Sequence, residues 1–172
     1  MGDVRRKHNL YSRPKKMFDS VRIAEENDIK KKYGLKNKTE IWKISAKVKA
    51  LRVKAKQFIP KSEKEKQEFF ARLNAMGLEV SAISDVLALK NEDLLNRRLQ
   101  TIVFNKGLSK TVLEARQLIV HKNVLVDDRI VNIPSFAVNK YNENKISLKE
   151  RKVKKVAADK KVEENVEETK DE

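Results

Sequence analysis

Residues 98–138, RLQTIVFNKGLSKTVLEARQLIVHKNVLVDDRIVNIPSFAV, decide the fold. Leu95, Leu99, Ile102 and Val103 recur at helical spacing behind Asn91, which can cap that helix, and Gly107 closes it. Ser109 can cap the next one, in which Val112, Ala115 and Ile119 form the apolar face and Lys110, Glu114, Gln117 and His121 the opposite face. Val124-Leu125-Val126 and Arg129-Ile130-Val131 read as two strands around an Asp127-Asp128 turn, and Pro134 ends the second. Two short helices feeding a hairpin give a compact module over residues 94–140. Free N–H groups at Leu108-Ser109-Lys110, with Lys106 and Lys110, would form a phosphate seat, and Arg98, Arg116, His121 and Lys122 would extend its positive surface.

Upstream, residues 40–59 are the clearest helix, with Thr39 as a plausible cap and Pro60 as the stop. Ile41, Ile44, Val48, Leu51, Ala55 and Phe58 make one apolar stripe. At ~100° per residue, Lys43, Lys47 and Lys54 line one flank of it and Lys49, Arg52 and Lys56 the other. Trp42 lies off the stripe, to pack on another element or to meet the ligand. Asp19 or Ser20 can cap a weakly patterned helix ending at Gly34, and Ser62 opens one carrying Phe69, Phe70 and Leu73 before Gly77. Together these form a helical domain over residues 19–93.

The ends of the chain differ in kind. Residues 1–18 offer no apolar periodicity, so an extended basic arm is expected, ordered by its partner. Arg5, Arg6, Lys7, Arg13, Lys15 and Lys16 would neutralise phosphates there, and Tyr11 would stack on a base. Residues 141–156 hold a candidate strand at 145–148 and a basic run expected to pack on the body; residues 157–172 read as a disordered acidic tail. The expected class is therefore α+β: a helical N-terminal unit, a small two-helix and β-hairpin module, a basic arm and an acidic tail.

Charge points to the ligand. The 172 residues carry a formal net charge of +15, and residues 1–60 alone hold 18 basic and 6 acidic side chains. Blocks of that density repel themselves unless a polyanion neutralises them, and such binding is strongly salt-dependent. With no Cys and only two His, Cys-ligated metal, disulfides and thiol nucleophiles are excluded, and no metal site is expected. No apolar run would span a bilayer, and MGDVRRKHNL holds no apolar signal core. The four glycines are isolated at 2, 34, 77 and 107, so no Gly-rich phosphate loop exists. No catalytic residues, cofactor or small-molecule substrate are expected.

Arg98-Leu99-Gln100, Gly107, Ser109-Lys110, Ala115-Arg116-Gln117-Leu118-Ile119, Val124-Leu125-Val126 and Val131 to Val138 together resemble the S-four RNA-binding module. Met1-Gly2-Asp3, Tyr33-Gly34-Leu35-Lys36-Asn37-Lys38 and the basic helix after them resemble the archaeal type of the small-subunit ribosomal protein S-four family. The resemblance implies a cytoplasmic ribosomal component that binds small-subunit ribosomal RNA, nucleates early assembly of the 5′ domain, and affects accuracy near the messenger entry channel beside proteins of the S-three and S-five families. Three departures stand out. Lys122 or Asn123 occupies a place where the module often has Gly; Asp127-Asp128 replaces Asn-Gly, which predicts a looser turn; and Lys110 replaces the commoner Arg.

Two other classes share some of these features. The module also accompanies catalytic domains, but the flanking segments here are an arm, basic helices and a tail. A free RNA chaperone would carry the same charge without needing one particular RNA. Because the tail reads as an inert solvated end, deleting residues 157–172 is expected to leave RNA affinity near the wild-type value in a filter-binding assay; a large loss would give the tail a binding role.

Overall fold

Helix α1 (Ser20–Lys32) is anchored by charge rather than by an apolar face. Its one buried side chain is Glu26, and Asp19 caps it by accepting from the Arg22 N–H. Helix α2 (Lys38–Phe58) follows the expected stripe: Ile41, Ile44, Val48 and Ala55 are buried. Asn37, not Thr39, holds its cap position, without a side-chain bond. α3 (Glu63–Ala75) buries Phe69 and Leu73, and α4 (Ile83–Ala88) buries Val86. This computed structural model describes residues 11–149. Arg5, Arg6, Lys7, the basic run after Lys149 and the acidic tail lie outside the described residues.

The single helix expected from Asn91 through Val103 is two, α5 (Asn91–Asn96) and α6 (Leu99–Asn105). The helix closes at Arg97 (φ −87°, ψ 4°) and the chain is extended at Arg98 (φ −75°, ψ 142°), where it pairs with a returning segment. Arg98 bridges Ala137 antiparallel, Val138 N–H donates to the Arg97 carbonyl, and Leu99 N–H donates to the Phe136 carbonyl. Propensity favours helix there, but these backbone bonds require extended geometry. α7 (Val112–Val120) leads into β1 (Val124–Val126) and β2 (Arg129–Ile130). After the short α8 (Lys140–Glu143), β3 (Ile146–Leu148) returns to the free edge of β1. The sheet is three-stranded and antiparallel, in the order β2-β1-β3. The observed class is α+β.

Among the described residues, three small cores stand in place of one large one. Tyr33, Leu35, Ile41, Ile44, Val48 and Leu95 form the first. Ala55, Phe69, Leu73, Leu78, Val80, Val86 and Leu89 form the second. Leu99, Ile102, Val103, Ala115, Ile119, Val124, Val126, Val138 and Ile146 form the third. Ile146 lies in β3, so the packed module reaches past residue 140.

Three helices end in one hydrogen-bonded motif closed by glycine. In α3, Gly77 N–H donates to the Asn74 carbonyl and Leu78 N–H to the Leu73 carbonyl, with Gly77 at φ +80°. A Cβ there would collide with the Arg97 guanidinium. α7 ends in the same motif with a lysine: Lys122 N–H donates to the Ile119 carbonyl and Asn123 N–H to the Leu118 carbonyl, with Lys122 at φ +60°. The hairpin turn is not loose. Leu125 pairs with Ile130 and Val126 with Arg129, leaving a two-residue turn at φ +52° and +60°. Aspartate tolerates that region better than most residues, and Lys145 pairs with Asp127 at 2.7 Å.

Left-handed backbone at a residue with a Cβ costs about 1 kcal/mol. Lys122→Gly is therefore expected to stabilise the fold by about 1 kcal/mol, read as a higher melting temperature. An unchanged or lower melting temperature would show that the lysine side chain contributes more than its backbone costs.

Candidate nucleic-acid interface

The inner electrostatics of the molecule turn on two carboxylates. Glu40, in the first turn of α2, pairs with Arg98 Nη2 at 2.5 Å and with Arg116 Nη2 at 3.0 Å. Arg98 is 5% exposed. Burial alone pushes the Glu40 carboxyl up, but hydrogen bonds and charge from Arg116 and Arg98 outweigh it and hold the group below its usual range. Gln100, fully buried beside this pair, donates through Nε2 to the carbonyls of Tyr33, Gly34 and Val112 at 3.0–3.3 Å. The first two lie in the turn after α1 and the third in α7, so the amide ties the module to the helical unit.

Glu26 does the same work between α1 and α2. It pairs with Arg22 at 2.8 Å and Lys38 at 3.4 Å, and accepts the Trp42 Nε1–H at 2.9 Å. Burial pushes this carboxyl up too, and bonds from Trp42, Arg22 and Lys38 bring it below the usual range. Trp42 thus packs on another element.

Two module residues expected on the phosphate surface are corrected. Arg98 is buried and Arg116 is half-buried, and both guanidiniums are committed to Glu40. The expected phosphate seat is also altered. Thr111, not Ser109, caps α7, its Oγ1 accepting from the Glu114 N–H. The Glu114 carboxylate accepts from the Lys110 N–H at 2.7 Å, so an acid of the chain already sits on that helix end. Ser109 Oγ is buried and has no hydrogen-bond partner among the described residues. Tyr11 is used internally as well: its ring lies 6.2 Å from that of Trp42, with Lys43 Nζ 5.9 Å from the Tyr11 centroid.

The remaining candidates face outward. Lys43, Lys47, Lys49, Arg52, Lys54 and Lys56 on α2, Lys106, Lys110, His121 and Lys122 on the module, and Arg13, Lys15 and Lys16 before α1 are exposed. Arg52 also donates to the Leu89 carbonyl at 2.6 Å, closing α4. Acidic partners are concentrated elsewhere. Around α3, Lys61, Lys66 and Arg72 each pair with a glutamate three or four residues away. The side chain that sequence reasoning misses is Glu40: Glu–Arg pairs distant in sequence leave no periodic signal, although a lone acid opening a strongly basic helix is visible.

Among the described residues, no helix is long and apolar enough to cross a membrane, and no group of acids and histidines is placed to hold a metal ion.

Residues 97–140 match the family model described as the S4 domain. Over 154 residues the chain is 40% identical to small ribosomal subunit protein uS4 of Methanococcus aeolicus, covering 86% of this chain and 87% of that protein. It is 38% identical to the uS4 protein of Methanothermobacter thermautotrophicus, covering 86% and 90%. The corresponding Thermoplasma acidophilum protein is 40% identical over 159 residues, covering 87% and 80%. The chain belongs to the archaeal uS4 family. Within this family member, two arginines of the module's own signature, Arg98 and Arg116, serve the junction between module and helical unit.

Because the folded-state pKa of Glu40 is depressed, its contribution to stability is present above the ordinary value of 4.5 and is lost as pH falls through the lower folded value. Glu40→Gln leaves a buried arginine facing a neutral amide. It is expected to cost about 3 kcal/mol at pH 7, and the gap to wild type should narrow below pH 4.5, measured by urea unfolding across pH. A gap that stays constant with pH would show that the carboxylate charge is not what holds Arg98.

Proposed function

We propose that this chain is a structural, non-catalytic constituent of the small ribosomal subunit that binds its ribosomal RNA directly. The observation that carries the reading is the division of its cations. Inner arginines are ion-paired with Glu40 and Glu26, while the lysines on both flanks of α2 are exposed and have no ion-pair partner among the described residues. A rigid helix with cations on two shoulders, beside a module with Lys106, Lys110, His121 and Lys122 outward, suits two phosphate chains that approach from different sides. Base edges in a deep A-form groove are out of reach of such side chains, so recognition is of the shape of a folded RNA.

The basic arm, Arg5, Arg6, Lys7, Arg13, Lys15 and Lys16, threads between RNA helices in this reading. Binding by preformed shape suits an early role, nucleating the 5′ domain. The place in the subunit is near the messenger entry channel, against members of the S-three and S-five families, where the chain contributes to decoding accuracy. The compartment is the cytoplasm. Family membership and the outward lysines support the RNA-binding part, and the resemblance supports the rest.

Replacing Lys43, Lys47 and Lys54 together by Ala is expected to weaken binding to small-subunit ribosomal RNA. The plot of log affinity against log salt should flatten by roughly 0.7–0.9 for each phosphate left without its cation. Wild type should also prefer that RNA over bulk RNA at ~0.2 M salt, where non-specific binding fades. Unchanged affinity and slope would remove the three lysines from the interface. Equal binding of any RNA would favour a free RNA chaperone.

A further inference from the structure

Met17, Phe18 and Val21 are 73%, 91% and 67% exposed. Met17 and Phe18 form the turn just before the Asp19 cap, and Val21 lies in the first turn of α1, so all three fall within five residues. This patch is held in place. Arg22 turns back so that Nη2 donates to the carbonyls of Lys16 and Met17 at 2.9 and 3.1 Å. Its Nη1 pairs with the buried Glu26, which in turn accepts from Trp42 on α2. The turn that delivers Phe18 is therefore fastened through two side chains to the longest helix. An apolar cluster presented to water by a fixed turn marks a binding surface.

The surroundings select the occupant. Arg13, Lys15 and Lys16 are exposed and have no ion-pair partner among the described residues. Lysine is depleted at protein–protein interfaces. Unpaired nucleobases, in contrast, stack on aromatic rings while neighbouring cations take the phosphates. The other aromatic of the arm, Tyr11, already packs on Trp42, which leaves Phe18 as the presented ring.

We propose that Phe18, bordered by Met17 and Val21, is a stacking platform for one unpaired base of the small-subunit ribosomal RNA, with Arg13, Lys15 and Lys16 on the adjoining phosphates. This deepens the RNA-binding reading above and rests on it.

The test is filter binding of the full chain to protein-free small-subunit ribosomal RNA over a salt series. Phe18→Ala should weaken binding by roughly 5- to 150-fold, the range of one base–aromatic stack. Its salt slope should match wild type, because removing a ring changes no counterion release. Phe18→Trp should bind as wild type, and Phe18→Leu, which keeps apolar bulk without a π face, should not restore affinity. Melting temperatures should stay equal, since the ring is almost wholly exposed. Wild-type affinity in Phe18→Ala, or full rescue by leucine, would overturn the proposal. So would a variant that binds RNA normally yet fails to enter reconstituted subunits, which would make the patch a protein contact. Failure of wild type itself to prefer this RNA would strike the broader reading instead.

Discussion

The carboxylate of Glu40 is the constraint on which the arrangement depends. It sits at the start of α2 and receives guanidiniums from both helices of the module, from Arg98 at the head of α6 and Arg116 within α7. A buried arginine without its counter-charge is costly, so the module and α2 are held in one relation. Gln100 reinforces this through three backbone carbonyls drawn from both sides of the junction. Glu26 repeats the device between α1 and α2. With these acids spent inside, the cations on the outer flanks of α2 remain unneutralised and fixed in space.

That division explains how a chain of net charge +15 folds at all. Three small apolar cores bind neighbouring elements, and buried ion pairs join them where apolar surface is short. Multiple hydrogen bonds to each carboxylate offset part of the penalty of burying charge, while Arg98 Nε is left without a hydrogen-bond partner among the described residues. The outward lysines of α2 lie on one helix rather than on loops, which keeps their spacing constant while a partner docks.

Much of this is legible in sequence because it is local. The stripe from Ile41 to Phe58 fixes α2 and which of its lysines point out. Asp19 and Gly34 bound α1, and Asp127-Asp128 marks the hairpin. The failures share a cause, which is pairing between distant residues. The break at Arg97-Arg98 comes from backbone bonds to Phe136 and Val138, which set Arg98 opposite Ala137. Arg98 and Arg116 resemble phosphate ligands because charge in a motif says nothing about an acid 58 or 76 residues upstream. The α7 terminus reads as free because Glu114, one turn on, has the spacing of a solvent-facing residue. Periodicity reports which face of an element is apolar, and it is silent on which charges are already used.

Whether the cations divide as described can be read lysine by lysine. Acetylation of the protein free and within intact small subunits, followed by mass spectrometry, gives the reactivity of each amine in both states. The account predicts that Lys43, Lys47, Lys54, Lys106 and Lys110 react freely in the isolated protein and become protected in the subunit, while Lys61 and Lys64 on the acidic side of α3 stay reactive. Protection of the α3 lysines with α2 left open would contradict it.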